Sequence, residues 1–185
     1  MSKPPVYLLV DGENIDRTLG QILDAKPRPE QRPRWERIRA YVEATWDRPC
    51  KALFFLNARR GLPGTFIQAL RVAGYAPIPL SGDVEQKVVD IAIVRTLEAI
   101  SERPGDVVLA SHDVDFCEAF TALTKDTHHR RLGILAFEEY LSGEYYGLER
   151  VEVHDLEDHV AAFDGEALPR LRVIPIDDFD PRRFL

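Results

Sequence analysis

Apolar residues occur in six short runs along the chain, separated by longer segments with helical spacing. The runs are rich in Val, Leu, Ile and Phe and show little alternation of apolar with polar residues, which is typical of strands buried on both faces. They predict strands at 6–10, 51–56, 76–80, 106–110, 132–137 and 150–154.

The segments between these runs place apolar residues three or four positions apart, which predicts helices with one buried face. Val89, Ile93 and Leu97 illustrate this spacing. Strands that alternate with helices in this way build a parallel sheet with helices on both faces. We therefore predict one three-layer α/β domain over residues 1–165, followed by a C-terminal tail over residues 166–185.

The first crossover is expected to contain two helices, separated by a loop over residues 26–34. This loop has three prolines and four basic residues in nine positions, so it is expected to be stiff and exposed. Two interpretations remain open: a solvated connector, or a rim that contacts phosphate groups. A second basic cluster, residues 128–131, is expected at the far end of a helix, where basic side chains interact favourably with the helix dipole.

The overall charge limits the kinds of partner that the chain can bind. Its 24 basic and 31 acidic residues give a net charge of −7, which argues against a protein built for broad, non-specific binding to nucleic acid. A nuclease is still compatible with this charge, because a metal ion bound to carboxylates presents a local positive field.

The cysteines and the amino-terminal segment indicate the cellular compartment of the protein. Cys50 and Cys117 form neither a C-x-x-C motif nor a zinc-ligand spacing. Two isolated thiols without a signal peptide fit a reducing cytosol. The first apolar run is about five residues long, which is too short for a signal sequence or a membrane span. We therefore expect a cytoplasmic protein without a membrane partner.

Four aspartates stand where a predicted strand ends or a predicted helix begins. Asp11 ends the first run, Asp113 and Asp115 follow the fourth, and a further one, Asp90, lies in the first turn of a helix. The carboxyl ends of parallel strands meet at one edge of the sheet, so we expect these side chains to converge. Crowded carboxylates repel one another unless a cation neutralises them, and Mg²⁺ prefers oxygen ligands. The sequence therefore predicts a site for Mg²⁺ or Mn²⁺.

Helix capping is a simpler explanation for part of this pattern. Asp and Asn favour helix N-termini, so Asp11 or Asn14 is a candidate cap for the first helix. Asp115 and Glu118 have the spacing of a capping box, with Asp in place of Ser or Thr. This spacing leaves Asp113 unexplained.

Lys87 adds a positive charge beside the predicted metal site. It precedes Asp90 by three residues, so the two side chains share one face of their helix. A surface ion pair is the simpler interpretation. The helix is apolar on most of its sides from Val88 to Val94, however, so a narrow polar face at its N-terminal end favours a functional site.

Three motifs occur in order along the chain. They are Val10-Asp11-Gly12-Glu13-Asn14, Lys87-Val88-Val89-Asp90 and Ser111-His112-Asp113-Val114-Asp115-Phe116. Together they resemble the NYN family, the LabA-like branch of the PIN-like nuclease superfamily. Members of that family have an aspartate and an asparagine after the first strand, a Lys-x-x-Asp helix start and a Ser-Gly-Asp-x-Asp-Phe junction. The resemblance covers about residues 6–137.

The resemblance implies a Rossmann-like, PIN-like fold and a ribonuclease that depends on Mg²⁺ or Mn²⁺. RNA is the implied partner, and a homodimer is left open. The implied catalytic and metal-binding residues are acidic, and the candidate substrate-binding residues are polar. The acidic set is Asp11, Asp90, Asp113 and Asp115, and the polar set is Asn14, Lys87 and Ser111.

Two positions depart from the family pattern. His112 stands where the family often has glycine, and Thr96 stands where many members have a further aspartate. Fewer carboxylates mean weaker metal binding, so the main alternative is a domain that binds RNA or a protein without catalysis. A receiver-like aspartyl-phosphate protein fits less well, because the first strand ends in one aspartate and residues 131–139 contain no lysine.

Overall fold

The computed structural model describes residues 3–185, and its centre is a six-stranded sheet in which all strands are parallel. The order across the sheet is β3-β2-β1-β4-β5-β6, so the chain crosses over after β3 and continues on the other side of β1. This topology confirms the predicted α/β fold and is Rossmann-like. The strands are β1 (Val6–Asp11), β2 (Cys50–Asn57), β3 (Tyr75–Leu80), β4 (Asp106–Ala110), β5 (Leu132–Ala136) and β6 (Val151–Asp155).

Helices cover both faces of the sheet and give the three layers. One hydrophobic cluster packs the sheet against α1, α2 and α3. A second cluster packs the opposite face against α4, α5 and the short α6. The helices are α1 (Gly12–Leu23), α2 (Trp35–Trp46), α3 (Gly64–Val72), α4 (Val88–Ser101), α5 (Cys117–Thr124) and α6 (Gly143–Tyr146).

The central strand β1 is covered on both faces, which explains why its sequence does not alternate apolar with polar residues. All six of its residues are buried. Leu8 belongs to the cluster on one face and Leu9 to the cluster on the other, because successive side chains of a strand point to opposite faces. A strand covered on both faces needs apolar residues at every position, and this is what the first run contains.

The edge strand β3 contains two prolines. Pro77 and Pro79 pair with Phe54 and Leu56 of β2. Proline lacks a backbone N–H donor and is tolerated in a sheet at an edge strand. The same property makes this edge a poor template for another strand.

The predicted tail is anchored to the domain near its beginning. The side chain of Arg170 is only 1% exposed and contacts the carboxylates of Glu139 and Asp155. Beyond this anchor the apolar side chains are mostly exposed, among them Val173 and Ile176. Among residues 3–185, no helix combines the length and the apolar character needed to cross a membrane.

Candidate metal centre

A polar cavity of about 230 Å³ lies at the carboxyl ends of β1 and β4, beside the first turn of α4. The register pairs Val10 with Ala110, so the chain leaves both strands side by side at this edge. The cavity is smaller than the roughly 300–1,000 Å³ typical of pockets for organic ligands. Its polar lining residues are Asp11, Glu13, Asn14, Arg17, Asn57, Gln86, Lys87, Asp90 and Asp113.

Three of the four predicted aspartates form a compact group. Asp90, Asp113 and Asp115 each offer a carboxylate oxygen, and these three oxygens lie within 4.8 Å of one another. Asp11 is outside this group but lines the same cavity as Asp90 and Asp113. The structure thus brings all four aspartates to one edge of the sheet, with Asp11 in the cavity wall and Asp115 exposed at the rim.

Asp11 is the most deeply buried of these carboxylates, at 3% exposure. Its Oδ1 accepts a hydrogen bond from the Asn14 backbone N–H at 3.2 Å, and its Oδ2 accepts one from the Ser111 hydroxyl at 3.2 Å. Burial raises the pKa of Asp11 from 3.8 to about 6, and the charges of Asp90 and Asp113 add to the effect. The two hydrogen bonds offset this only in part.

Lys87 is the cation closest to the aspartate group in the described chain. Its Nζ lies 3.0 Å from Asp115 Oδ2 and 3.6 Å from Asp90 Oδ2. The Asp115 carboxylate raises the pKa of Lys87. Burial, together with the charge of Asp113, nevertheless keeps the pKa of Asp90 raised. One exposed ammonium group therefore does not neutralise the aspartate group.

Of the two predicted capping interactions, the one by Asp11 is confirmed and the one by Asp115 is wrong. Asp11 caps α1 by accepting from the Asn14 backbone N–H, so Asn14 lies inside the helix. Asp113, not Asp115, is the second cap, because its Oδ1 accepts from the Asp115 backbone N–H at 3.0 Å. A single 3₁₀ turn over Val114–Phe116 precedes α5 and moves the helix start beyond Asp115. The Asp115 carboxylate is therefore available to Lys87.

Ser111 lies behind the carboxylates instead of facing a substrate. It is fully buried, with an exposed fraction of 0%. Its hydroxyl donates to Asp11 and accepts a hydrogen bond from the Asp113 backbone N–H at 3.2 Å. Ser111 thus connects the two strand ends that supply the acidic residues.

His112 is also buried and contacts Asn14 and Phe137. Its ring Nδ1 lies 2.9 Å from Asn14 Oδ1, and its Nε2 accepts from the Phe137 backbone N–H at 2.8 Å. The ring stacks on Phe137 with the centroids 5.6 Å apart. Burial lowers the pKa of His112 from 6.5 to about 4, so the ring is neutral at neutral pH.

The cavity contains a basic residue that the sequence reasoning missed. Arg17 lines the cavity and forms no ion pair with any residue of 3–185. It follows Asn14 by three positions, so the helical i, i+3 spacing was the available signal. Asn57 and Gln86 also line the cavity and were missed. Asn57 ends β2, so its strand-end position was the available signal, whereas Gln86 lies in the loop before α4.

The basic loop over residues 26–34 is a connector in this structure. Arg32 pairs with Asp16 at 2.6 Å, and Arg34 pairs with Asp164 at 2.6 Å. Neither arginine lines the cavity. The interpretation of this loop as a phosphate-contacting rim therefore has no support from its position.

The chain matches no known family model and no curated protein. Its fold is similar to the crystal structure of a protein of unknown function from Vibrio parahaemolyticus, with a TM-score of 0.65 and 17% sequence identity. The similarity covers 84% of this chain and 94% of that chain. At this identity the likeness shows the Rossmann-like α/β fold alone.

Proposed function

We propose that this protein is a ribonuclease that depends on Mg²⁺ or Mn²⁺ and hydrolyses phosphodiester bonds in RNA. The observation that carries this proposal is the group formed by Asp90, Asp113 and Asp115, whose oxygens lie within 4.8 Å of one another. Carboxylate oxygens are the ligands that these cations prefer. Asp11 adds support, because burial raises its pKa to about 6 and the negative charges of Asp90 and Asp113 raise it further. The resemblance of three motifs to the NYN family points to the same reaction.

The four aspartates have two kinds of role in this proposal. Asp90, Asp113 and Asp115 hold the cation. A bound cation supplies Lewis-acid polarisation of a phosphoryl oxygen and lowers the pKa of an attacking water. Asp11 faces the same cavity, and its pKa of about 6 is that of a group able to accept a proton near neutral pH.

Two basic side chains hold the RNA backbone. Arg17 and Lys87 both line the cavity, so both place positive charge beside the carboxylates. Single-stranded or unpaired RNA is the proposed substrate, because the two basic side chains can contact the phosphates of an extended backbone. We place this activity in the cytoplasm, where the two free thiols, Cys50 and Cys117, remain reduced.

One observation favours the alternative, a domain that binds RNA or a protein without cutting. The Thr96 hydroxyl donates to the Ala92 carbonyl of its own helix at 2.7 Å. Threonine has no carboxylate and its hydroxyl is already bonded, so this position adds no ligand to the three close carboxylates of the aspartate group. Three carboxylates leave more of the cation's coordination sphere to water.

The proposal is tested with an end-labelled single-stranded RNA, incubated with Mn²⁺, Mg²⁺ or EDTA. Wild type is expected to cut with either cation and not with EDTA. Asp113→Asn is expected to lose cleavage and keep its fold, because an amide is a weaker cation ligand but still caps a helix. Asp178→Asn is the matched control, because Asp178 is exposed on the tail.

The outcomes separate the two functions. Equal cleavage by wild type and Asp113→Asn would show that the activity comes from a contaminant. RNA that binds but is never cut, across several sequences with Mn²⁺, would favour the non-catalytic alternative.

A further inference from the structure

The side-chain amide of Asn14 has a defined orientation. Its Oδ1 lies 2.8 Å from the His112 backbone nitrogen. A backbone N–H only donates hydrogen bonds, so the atom facing it must be the carbonyl oxygen and not the NH₂ group. The geometry therefore assigns the two ends of the amide without ambiguity.

The His112 ring has a defined tautomer for the same reason. The Phe137 backbone N–H donates to Nε2 at 2.8 Å, so Nε2 carries no proton. Nδ1 lies 2.9 Å from Asn14 Oδ1, an acceptor, so Nδ1 must carry the proton. Asn14 Oδ1 thus accepts two hydrogen bonds from one residue, one from the backbone and one from the ring.

The other end of the amide is free within the described chain. Asn14 Nδ2 donates no hydrogen bond to any residue of 3–185, although Asn14 is only 6% exposed. Asn14 lines the cavity beside Asp11 and Asp113. With Oδ1 held against His112, the NH₂ group is the end left for the cavity.

We infer that His112 is a positioning residue that fixes Asn14 so that its NH₂ group donates into the carboxylate cavity. Asn14 then acts as a hydrogen-bond donor to an anionic oxygen, such as that of a phosphate, and is not a cation ligand. The identity of that oxygen as an RNA phosphate rests on the proposed function. The orientation of Asn14 does not, so the two are tested separately.

The ring of His112 is itself held in place by Phe137. Phe137 stacks on the ring at an interplanar angle of 11° and also supplies the N–H that fixes the tautomer. A residue that merely filled space would need neither hydrogen bond. Removing the imidazole leaves Asn14 with the backbone hydrogen bond alone, so its amide gains freedom to rotate.

The first experiment uses the full chain without ligand. Long-range ¹H–¹⁵N correlation spectra of ¹⁵N-histidine protein are expected to show His112 protonated at Nδ1 and bare at Nε2. The Asn14 NH₂ protons are expected to shift in His112→Leu and to return toward wild type in His112→Asn. The asparagine rescues because its amide nitrogen occupies about the place of Nδ1. His128→Leu is the control, because His128 is exposed and away from the cavity.

Two results would overturn the positioning role. One is a His112 ring protonated at Nε2. The other is an Asn14 NH₂ signal that is the same in wild type and in a folded His112→Leu variant. Either result holds whether or not the protein cuts RNA.

The second experiment adds a 2′-O-methyl RNA oligomer together with Mg²⁺, and gel electrophoresis checks that the oligomer stays intact. The Asn14 NH₂ signal is expected to move, and Asn14→Ala is expected to weaken binding about tenfold. His112→Leu is expected to weaken it by a smaller factor. An oligomer that shifts the Lys87 and Asp90 signals without moving Asn14 would overturn the donor role. An oligomer that does not bind refutes RNA as the ligand and leaves the first experiment to decide the orientation.

Discussion

Two groups of acidic side chains lie at the carboxyl edge of the same sheet, and their charges are balanced in opposite ways. At the end of β6, Arg170 Nη2 lies 2.5 Å from both Glu139 and Asp155. Burial alone would raise the pKa of Asp155, but Arg170 and several backbone N–H groups lower it to about 2. At the ends of β1 and β4, burial and neighbouring carboxylates instead raise the pKa of Asp11 to about 6.

The difference teaches that acidic residues in one place do not by themselves define a metal site. Around Arg170 the chain supplies a buried cation, and the carboxylates hold the tail against the domain. In the cavity the nearest cation is Lys87, whose side chain is 68% exposed. Unbalanced charge in a cavity, together with oxygens close enough to share a ligand, distinguishes a candidate functional site from a structural ion network.

The largest expected effect is the loss of stability when Arg170 is removed from its group of carboxylates. Arg170→Met leaves Asp155, whose side chain is 2% exposed, without its partner. Removing one partner of a buried ion pair costs about 3–5 kcal/mol in unfolding free energy, or roughly 6–20 °C in melting temperature for a domain of this size. Thermal unfolding followed by circular dichroism measures this loss. Arg172→Met is the control, because Arg172 is 45% exposed and such pairs contribute about 1 kcal/mol or less. Equal losses in the two variants would contradict the account.

The next effect is a pH dependence from Asp11. Its pKa is higher in the folded state, about 6 against 3.8, so its contribution to stability is complete below pH 3.8 and is lost as the pH rises through 6. Two pKa units correspond to about 3 kcal/mol. Without metal, the unfolding free energy of Asp11→Asn is therefore expected to rise by about 3 kcal/mol relative to wild type between pH 3 and pH 7.

Urea unfolding of both proteins across this range tests the prediction. Comparing the two cancels the opposite contribution of His112, whose lowered pKa makes the fold lose stability as the pH falls from 6.5 through 4. Asp155→Asn is the contrast: its stability relative to wild type should be flat from pH 4 to 7, because its pKa lies near 2. A flat difference for Asp11→Asn would mean that its carboxylate is well balanced.

A change in stability of similar size is expected when a cation neutralises the carboxylates of the cavity. Mn²⁺ at about 100 times its dissociation constant should stabilise the protein by about 2.7 kcal/mol, or roughly 5–10 °C in melting temperature. Asp113→Asn should lose this shift, and Asp178→Asn should keep it. A shift that both variants keep would place the bound cation outside the aspartate group.

The smallest effect concerns Lys87. Its ammonium group donates a hydrogen bond to Oδ2 of Asp115, so it competes with a metal cation for that oxygen. Lys87→Met is expected to tighten Mn²⁺ binding by a few-fold in calorimetric titration, because exposed ion pairs are weak. Lys125→Met, at the C-terminal end of α5, should change nothing. Weaker binding in Lys87→Met would mean that Lys87 helps to hold the ligands in place.

The sequence predicted the sheet well because its signals are local. Each run of apolar residues indicates a strand, and the predicted strand bounds fall within one residue of the observed ones. The convergence of Asp11 and Asp113 also followed from strand ends in a parallel sheet. These inferences need only the order of the elements and no side-chain geometry.

The interactions that orient side chains were not predictable in this way. Arg170 was assigned to a tail, and its contacts with Glu139 and Asp155 join residues that are 31 and 15 positions apart. His112 contacts Asn14 across 98 positions. Nothing in a single sequence marks such pairs, because the hydrogen bonds depend on rotamers and tautomers that only the packed fold selects.

The most direct test of the central claim is a crystal grown with Mn²⁺ and examined by anomalous diffraction. We expect one strong anomalous peak among Asp90, Asp113 and Asp115, at about 2.0–2.6 Å from at least two carboxylate oxygens, and none at the Arg170 group. An intact structure with no peak at the aspartate group under saturating Mn²⁺ would contradict the claim that this cavity is a metal centre.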